Sequence, residues 1–535
     1  MKRFFTIAIL AVISCICVSA QNYKMKERAG IIKELEKAAT WYRSGDSAKA
    51  RDADYIISTV AEHQIKDPES RFYGSMSWWY KSPKLGLNMA GFIAHEMFVD
   101  LWNLQDRMSE QARKDFLRIA ELIVLSEDRR FDEEPFPVAR DEMEYSNAYC
   151  LSMQTVWLGA FRLQDKYRMA QAKNMWARYY QFYKFFGNGE FASAHYEEVD
   201  FTSILDMWRF CDDSVLKAQM KEVLDDIYIS QTAITHPLLK LPIVGASRDY
   251  REVQKGGDAS SPLFKAKLYE YEIPEKAVQL RDHRKYPFEL EGKGGSGAPF
   301  TFKSYQTEDA GMGTMSGWGC YFYQNLHLVA SAGRNENERA SLFCPGTYNS
   351  VNGFTAQKGM TSLLVYNRKP TLWHLTSGKV KDISKYKDSI KPFGIGASDG
   401  FTVVENGKGK ILLKVYGCDF YIFPFEAKDG KVIPCELQLL HRSETGAGIS
   451  QSRKASFDEF MFPEEPDWFG AVVKVVKEGT KVKTPDVTFS EEGGICTIGC
   501  SSENLSIKVC ETDAGASVAL PEKNINMMPV LWMNQ

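Results

Sequence analysis

The spacing of hydrophobic residues divides the chain into two halves. From about residue 24 to 245, apolar residues recur three and four positions apart, which is the pattern of one buried helix face. The clearest runs cover residues 89–101, 117–125 and 149–161. Glycine and proline are sparse inside these runs, and Pro135 and Pro137 fall between two of them. The pattern predicts an all-α region, either a toroid of helical hairpins or a solenoid.

After about residue 300 the apolar period becomes two. Strands are predicted over residues 362–366, 400–404, 410–416 and 506–510. Asn406-Gly407 and Asp429-Gly430 are typical of hairpin turns between such strands. Many short strands with turn residues between them are typical of an antiparallel β-sandwich.

The stretch between the two halves, residues 251–300, is rich in glycine and contains scattered prolines. This composition predicts an irregular linker that packs across the junction. The expected fold is therefore an α/α toroid over residues 21–250, this linker, and an antiparallel β-sandwich over residues 301–535.

The first twenty residues have the composition of an export signal. Lys2 and Arg3 precede an apolar run, and the chain offers a cleavage pattern of small residues that ends at Ala20. Val12-Ile13-Ser14-Cys15 also resembles a lipobox, so a lipid anchor on Cys15 is the alternative to simple cleavage. The run is too short to span a membrane comfortably, and no other segment is apolar enough. We expect an exported protein, periplasmic or on the surface of a Gram-negative cell.

Composition narrows the function further. The formal net charge of −3 argues against nucleic acid as a partner, since that usually requires a basic surface. The 11 Trp and 25 Tyr residues suit the stacking of sugar rings, although large cores also use them. The cysteines after residue 20 are odd in number, and Cys496 and Cys500 have no second pair that would complete a zinc site. We expect buried cysteines, no metal and no cofactor.

Titratable side chains are densest in the stretch 188–203, which then runs into an apolar helical segment. Its His195-Tyr196 pair would supply a base and an acid within one small site. The alternative is that His195 binds a backbone carbonyl and Tyr196 packs.

Two further loops carry candidate residues. In the stretch 141–149, Glu144, Tyr145 and Asn147 precede or begin an apolar helix, where acidic and Asn residues also serve as caps. In the stretch 235–252, His236 precedes a proline, so we expect its ring to be displayed from a loop.

The same stretch, 235–252, continues to Arg248 and Tyr250, a combination that suits binding of a carboxylate; a structural Arg–Asp pair is the alternative. Trp318 ends a glycine-rich, acidic segment that opens the β half and is expected to reach the cleft of the α domain. A nucleophile elbow and a phosphate-binding loop are both missing from the sequence.

Taken together, these features resemble the α/α-toroid polysaccharide lyases of the alginate lyase and heparinase II/III type. The resemblance is carried by the two-part layout and by loose motifs: Asn147 in a polar loop, the His195-Tyr196 pair, and Arg248-x-Tyr250. The Asn-His dipeptide of the alginate lyases is missing. The export signal and the terminal sequence also resemble glycan-degrading proteins of gut Bacteroidetes.

The resemblance implies β-elimination on a uronic-acid-containing polysaccharide. Asn147 and Arg248 would neutralise the sugar carboxylate, and His195 would remove the proton. Tyr196 or Tyr250 would protonate the leaving oxygen. The further substrate-binding residues are Glu144, Tyr145, His236 and Trp318. In this hypothesis Glu197 and Glu198 face solvent.

Two alternatives stay open. One is a glycoside hydrolase on a similar toroid, which needs two carboxylates that face each other across the sugar. The candidate carboxylates are Glu144, Glu190, Glu197, Glu198, Asp200 and Asp249. The other is a glycan-binding protein of the cell surface without catalytic activity.

Overall fold

The computed structural model describes most of the chain with gaps. The described residues are 23–86, 88–132, 146–193, 196–246, 268–294, 300–317, 326–344, 353–367, 394–428, 430–441, 468–512, 515–518 and 532–533. They form two compact units. A helical unit comprises the described residues within 1–142, 148–178 and 203–220, and a mixed unit comprises those within 143–147, 179–202 and 221–535.

The chain up to residue 234 is mainly helical, as the apolar period predicts. Its helices are α1 (Ile31–Ser44), α2 (Ser47–His63), α3 (Met89–Phe92), α4 (Glu110–Asp132), α5 (Ser146–Leu163), α6 (Lys166–Phe186), α7 (Tyr196–Arg209) and α8 (Ser214–Ile234). The predicted runs 117–125 and 149–161 lie inside α4 and α5. The run 89–101 differs, because α3 is followed by a π-helix (Glu96–Leu101) and a 3-10 helix (Trp102–Arg107). Single π turns of this kind are frequent near functional sites.

Helix α5 is enclosed on all sides. Every residue from 146 to 160 is buried, as expected for a helix that is apolar all round. Gly159 allows α4 to approach closely, since a Cβ at this position would lie 2.1 Å from Cγ2 of Val124. The polar residues at the start of α5 are therefore held by a rigid, fully packed element.

The second half of the chain is built from strands. They are β5 (Phe288–Gly294), β6 (Phe300–Gln306), β7 (Ala310–Gly317), β8 (Leu328–Gly333), β9 (Arg339–Cys344), β10 (Gly353–Lys358), β11 (Thr361–Asn367), β12 (Gly394–Ala397), β13 (Thr402–Gly407), β14 (Lys410–Val415), β15 (Cys418–Lys428), β16 (Lys431–Pro434), β17 (Gln438–His441), β18 (Trp468–Lys477), β19 (Val487–Glu492), β20 (Ile495–Cys500), β21 (Leu505–Thr512), β22 (Gly515–Val518) and β23 (Trp532–Met533). Four short strands precede them as two hairpins, β1 (Met76–Ser77) with β2 (Leu85–Gly86) and β3 (Thr235–His236) with β4 (Leu241–Pro242).

Three sheets of the mixed unit are stacked in layers. An eight-stranded sheet has the order β17-β12-β9-β8-β7-β6-β5-β23, a seven-stranded sheet has the order β10-β11-β18-β15-β14-β13 with β16 beside β15, and a four-stranded sheet has the order β19-β20-β21-β22. The pairing is antiparallel except between β12 and β17. One apolar core joins the first two sheets, and another joins the second and third. The predicted class, helices followed by an antiparallel β region, is confirmed.

Hairpin turns fall close to the predicted positions. Asn406 and Gly407 still pair with β14, and the chain reverses at the next two residues, where Gly409 has φ of 78°. Lys428 pairs with Lys431, so the second reversal spans residues 429–430 as expected, although residue 429 lies outside the described part.

Part of the expected linker has regular structure. Residues 275–282 form helix α9 (Glu275–Asp282), and residues 288–294 form β5 at the edge region of the eight-stranded sheet. The glycines of this stretch predict irregular chain, but Gly292 and Gly294 lie in β5, where aromatic rings of β6 pack against them. A Cβ at Gly292 would lie 2.5 Å from the ring of Phe302, and one at Gly294 would lie 2.8 Å from the ring of Phe300.

The predicted burial of cysteines is confirmed where the structure describes them. Within the described ranges the buried cysteines are Cys150, Cys211, Cys344, Cys418, Cys435, Cys496 and Cys500. Within the described ranges, the search for a helix long and apolar enough to cross a membrane finds none.

A charged histidine links three segments of the helical unit. Nδ1 of His95, the residue before the π-helix, lies 2.6 Å from Oδ2 of Asp206 on α7, and Nε2 of Gln154 on α5 donates to the same oxygen over 2.7 Å. Burial lowers the pKa of the His95 imidazole, but the hydrogen bond and the charge of Asp206 outweigh it and raise the pKa to about 9. The imidazole is therefore protonated at neutral pH and forms an ion pair.

This ion pair makes stability depend on pH. Between the ordinary pKa of about 6.5 and the folded value of about 9, the native state holds a proton that the unfolded chain releases. We expect the free energy of unfolding to fall as pH rises through this window, by on the order of 2 kcal/mol. Urea titrations at several pH values measure the slope, and His95→Gln should remove most of it.

His63→Gln is the matched control in the same unit. Burial lowers the pKa of His63, so this residue titrates below the window and its replacement should leave the slope unchanged. Equal slopes for the wild type and His95→Gln would contradict the assignment.

Candidate functional site

Two of the three candidate loops meet in the mixed unit. The backbone N–H of Asn147, the second residue of α5, donates to Oε2 of Glu190 over 2.9 Å. Nδ2 of Asn147 donates to the same oxygen, and Oγ of Ser146 lies 3.3 Å from it. The start of α5 and the stretch 188–203 therefore share one hydrogen-bond network, which we call the Glu190 cluster; its members are Ser146, Asn147, Asn188, Glu190, Ser193, Glu197 and Asp200.

Asn188 continues this network toward α7. Its Oδ1 accepts from Oγ of Ser146 over 2.7 Å and from the backbone N–H of Glu190 over 3.0 Å. Its Nδ2 donates to Oδ2 of Asp200 over 2.9 Å. An Asn side chain that binds the backbone two residues on is a common turn device, and here it also connects two acidic residues.

An aromatic stack holds the turn in place. The ring of Phe191 lies 4.3 Å from that of Phe302 and 5.5 Å from that of Phe300, with near-parallel planes. Both partners belong to β6, and the three rings are part of the apolar core on one face of the eight-stranded sheet. Glu190 directly precedes Phe191 in the chain, so the stack fixes the backbone that carries this carboxylate.

Three carboxyl groups of the cluster are buried. Glu190 and Asp200 are 0% exposed and Glu197 is 3% exposed. Burial raises the pKa of the Glu197 carboxyl well above its ordinary value, and the neighbouring charges of Asp200 and Glu190 raise it further against the opposing effect of one backbone hydrogen bond. Both effects favour the protonated carboxyl of Glu197 over its carboxylate. The expectation that Glu197 faces solvent is wrong, because the first turn of α7 points this side chain inward.

Several polar atoms of the cluster lack a partner among the described residues. They are Oδ1 of Asn147, Oγ of Ser193 and Oε2 of Glu197. Buried polar atoms are nearly always satisfied, so the partners of these three atoms lie outside the described residues. The described part of the chain contains no group of three or more His, Cys, Asp or Glu side chains arranged to hold a metal ion.

Most of the other predicted site residues lie outside the described residues. These are the candidate base His195, the candidate acid Tyr250, and the substrate-binding candidates Arg248, Glu144, Tyr145 and Trp318. Tyr196 is described as the partly buried first residue of α7. Of the predicted catalytic residues, the structure thus describes Asn147 in the Glu190 cluster and Tyr196 at the helix that follows it.

His236 is not displayed from a loop, and this expectation is wrong. It is 0% exposed, and its Nε2 lies 2.9 Å from the carbonyl oxygen of Thr307. Its Nδ1 accepts from the N–H groups of Leu238 and Leu239. The proline does extend the backbone, but into the hairpin β3–β4, whose close packing encloses the ring. Burial lowers the pKa of His236 to about 4, so the imidazole is neutral.

Sequence reasoning did not assign the partners of Asn147. Ser146 was not singled out, and Glu190 was considered only as one of several carboxylates for a hydrolase. The Asn-Gly-Glu sequence at residues 188–190 is a turn signal, but it does not reveal that the turn lies against the start of a helix 43 residues earlier.

The protonation of Glu197 has a measurable consequence. Its folded pKa lies above the unfolded value, so the native state becomes less stable as pH rises from about 4, where the unfolded chain begins to release this proton. Glu197→Gln mimics the protonated acid and keeps the oxygen that accepts from the N–H of Ala192. We expect this variant to be more stable than the wild type at about pH 8 and equal to it at about pH 4.

Urea unfolding at the two pH values tests this expectation. Asp115→Asn is a suitable control. The buried side chain of Asp115 pairs with Arg118, so this substitution should remove the ion pair and destabilise the protein. A Glu197→Gln protein that is less stable at the higher pH would show that the carboxyl is ionised in the native state.

Comparison with known proteins gives one match to a domain model and two structural neighbours. Residues 19–245 match the model of a domain of unknown function (DUF8769). No curated protein matches the sequence. The chondroitin AC lyase of Streptomyces coelicolor A3, solved in complex with chondroitin sulphate, is 10% identical, covers 91% of this chain and 81% of its own, and has a TM-score of 0.40.

A second neighbour is a chondroitinase AC lyase solved in oligosaccharide complexes. It is 12% identical, covers 88% of this chain and 82% of its own, and has a TM-score of 0.29. Both neighbours are polysaccharide lyases of the class that the sequence resembles. No residue, substrate or mechanism is carried across from them.

Proposed function

We propose that this protein is an exported polysaccharide lyase that cleaves a uronic-acid-containing glycan by β-elimination. The observation that supports the proposal is the contact between Asn147 and Glu190. Through it, the candidate carboxylate-binding residue joins the stretch that carries His195 and Tyr196. Export rests on the signal-like residues 1–20.

The difficult step of this reaction is removal of the proton at C5 of the uronate. The adjacent carboxylate opposes the charge that develops there, so the site must neutralise it. In the proposal, the carboxamide of Asn147 and the guanidinium of Arg248 bind the carboxylate. Burial strengthens the contribution of Asn147, because little water competes with its hydrogen bonds.

The electron and proton balance follows from this arrangement. His195 takes the C5 proton, and the electron pair of that bond forms the double bond between C4 and C5. The bond from C4 to the glycosidic oxygen breaks, and Tyr196 or Tyr250 donates a proton to the leaving oxygen. The products are the chain from the non-reducing side, which gains a new hemiacetal hydroxyl group, and the remaining chain, which begins with a 4,5-unsaturated uronate.

The state of Glu197 also bears on the chemistry. A neutral acid at this position adds no charge that would repel an incoming carboxylate, unlike an ionised one. A hydrolase would instead place two carboxyl groups on either side of the bond to be cleaved. Three carboxyl groups of the cluster are instead buried and hydrogen-bonded to other residues of the chain: those of Glu190, Glu197 and Asp200. This arrangement favours the lyase over a hydrolase that would use these groups.

The mature protein should generate near-ultraviolet absorbance from one or more uronate polysaccharides, because the new double bond is conjugated with the carboxyl group. Asn147→Ala should lower kcat by about 100-fold, the usual effect of removing one hydrogen-bond donor from a developing charge. Tyr196→Phe should lower it if this phenol is the acid.

Tyr180→Phe is the control for the loss of a hydroxyl. Tyr180 binds Glu222 at an exposed position on α6, so its replacement should leave turnover unchanged. Shorter products without unsaturation would indicate the hydrolase, and oligosaccharide binding without any product would indicate a binding protein.

A further inference from the structure

Oε2 of Glu190 fixes Asn147 by accepting hydrogen bonds from two donors of that residue. It accepts from the backbone N–H of Asn147 over 2.9 Å and from Nδ2 of the same residue. Oγ of Ser146 also lies 3.3 Å from this oxygen, but its one hydrogen is donated to Oδ1 of Asn188 over the shorter distance of 2.7 Å. Because one oxygen binds both the main chain and the side chain of Asn147, the side chain has a single orientation relative to α5.

Glu190 is itself held from two directions. Its backbone N–H donates to Asn188, which in turn binds Ser146 and Asp200. The next residue, Phe191, is stacked on the rings of β6. The carboxylate therefore cannot follow a displaced Asn147, and a displaced Asn147 loses a buried acceptor that it cannot replace.

The geometry of this contact makes it specific to Asn147. Two donors of that residue, its backbone N–H and Nδ2, converge on one oxygen of Glu190. Oγ of Ser146 has a single hydrogen and donates it to Oδ1 of Asn188 over 2.7 Å, so Asn147 supplies both of the hydrogen bonds that matter here.

The orientation also determines which part of the amide can bind a carboxylate. Oδ1 of Asn147 accepts from none of the described residues, but a carboxylate has only acceptors and can bind only the second hydrogen of Nδ2. Rotation of the amide by half a turn would place Oδ1 against Oε2 of Glu190, where two acceptors repel. The direction of the second Nδ2 hydrogen is therefore determined by Glu190.

We infer that Glu190 is a positioning residue, which holds the carboxamide of Asn147 in the orientation that binds the carboxyl group of the substrate. The inference rests on the proposed lyase function and extends it to a residue that does not contact the sugar. A displacement of about 1 Å at such a group costs roughly 100-fold in rate, so positioning alone is sufficient for a large effect.

A double-mutant cycle on lyase activity tests the inference. Asn147→Ala and Glu190→Ala should each lower kcat/KM on a free-acid uronate glycan by about 100-fold. The double variant should show about the same 100-fold loss instead of the roughly 10,000-fold loss expected for independent residues. Rates are taken per folded molecule, as determined by circular dichroism, and Glu190→Leu, which removes the acceptor but fills the space, serves if Glu190→Ala does not fold.

A methyl-esterified substrate separates positioning from general damage. The ester has no carboxylate charge for Asn147 to neutralise, so the kcat/KM of both single variants on the ester should fall by less than about 10-fold. A disturbed fold would lower kcat/KM equally on the acid and on the ester. Glu127→Ala is the matched control, because Glu127 is also fully buried and accepts from the N–H of Gly91 and the hydroxyl of Ser152 in the helical unit.

Glu127→Ala should affect acid and ester alike, and its effect should multiply with that of Asn147→Ala. If Glu190→Ala behaves in this way too, the inference is overturned while the lyase function stands. If the wild-type protein forms no unsaturated product from any uronate polysaccharide, the proposed function fails and the inference fails with it.

Discussion

One carboxylate oxygen determines how the candidate site is arranged. Oε2 of Glu190 is 43 residues from Asn147 in sequence, yet it accepts from the main chain and the side chain of that residue. Burying an ionised carboxylate costs several kcal/mol unless donors replace its lost water. The backbone N–H and Nδ2 of Asn147 supply two such donors to this one oxygen. The contact therefore ties the start of α5 to the turn before α7.

The apolar core supplies the rigidity that this contact requires. Glu190 could not orient another residue if its own backbone were loose, and the stack of Phe191 on Phe302 and Phe300 prevents this. On the other side, α5 is buried along its first fifteen residues and cannot tilt without opening cavities. A polar contact between two well-packed elements keeps its geometry, which a contact between exposed loops does not.

Electrostatics limits how many charges the cluster can hold. Glu190, Glu197 and Asp200 are buried close together, and like charges in a medium of low polarity raise the cost of ionising all of them. Burial and the neighbouring charges of Asp200 and Glu190 raise the pKa of Glu197, and the hydrogen bond from the N–H of Ala192 opposes this rise.

The sequence predicted the class of fold because its signals are local. Apolar residues that recur every three to four positions predict α4 and α5, and those that recur every second position predict most of the strands. The Asn-Gly and Asp-Gly pairs predict the hairpin turns. The failures have a common cause. Gly292 and Gly294 suggested a linker, His236 an exposed ring and Glu197 a solvated acid, but each is buried by partners that are distant in sequence. No local pattern reveals such partners.

The candidate site could be predicted only in part for the same reason. Asn147 was selected as a polar residue at a helix start, and the stretch 188–203 as a dense group of titratable residues. Their contact through Glu190 is a tertiary feature. Residue types suggest the chemistry of the site, whereas the orientation of Asn147 depends on a contact that only the three-dimensional structure shows.

The most direct test of the account is a crystal structure of the protein with a bound uronate oligosaccharide. The account predicts that the sugar carboxyl group lies within about 3.2 Å of Asn147, whose Nδ2 still binds Glu190. A carboxyl group that is bound elsewhere, with the Glu190 cluster unchanged and no sugar beside it, would contradict the assignment of this cluster to the active site.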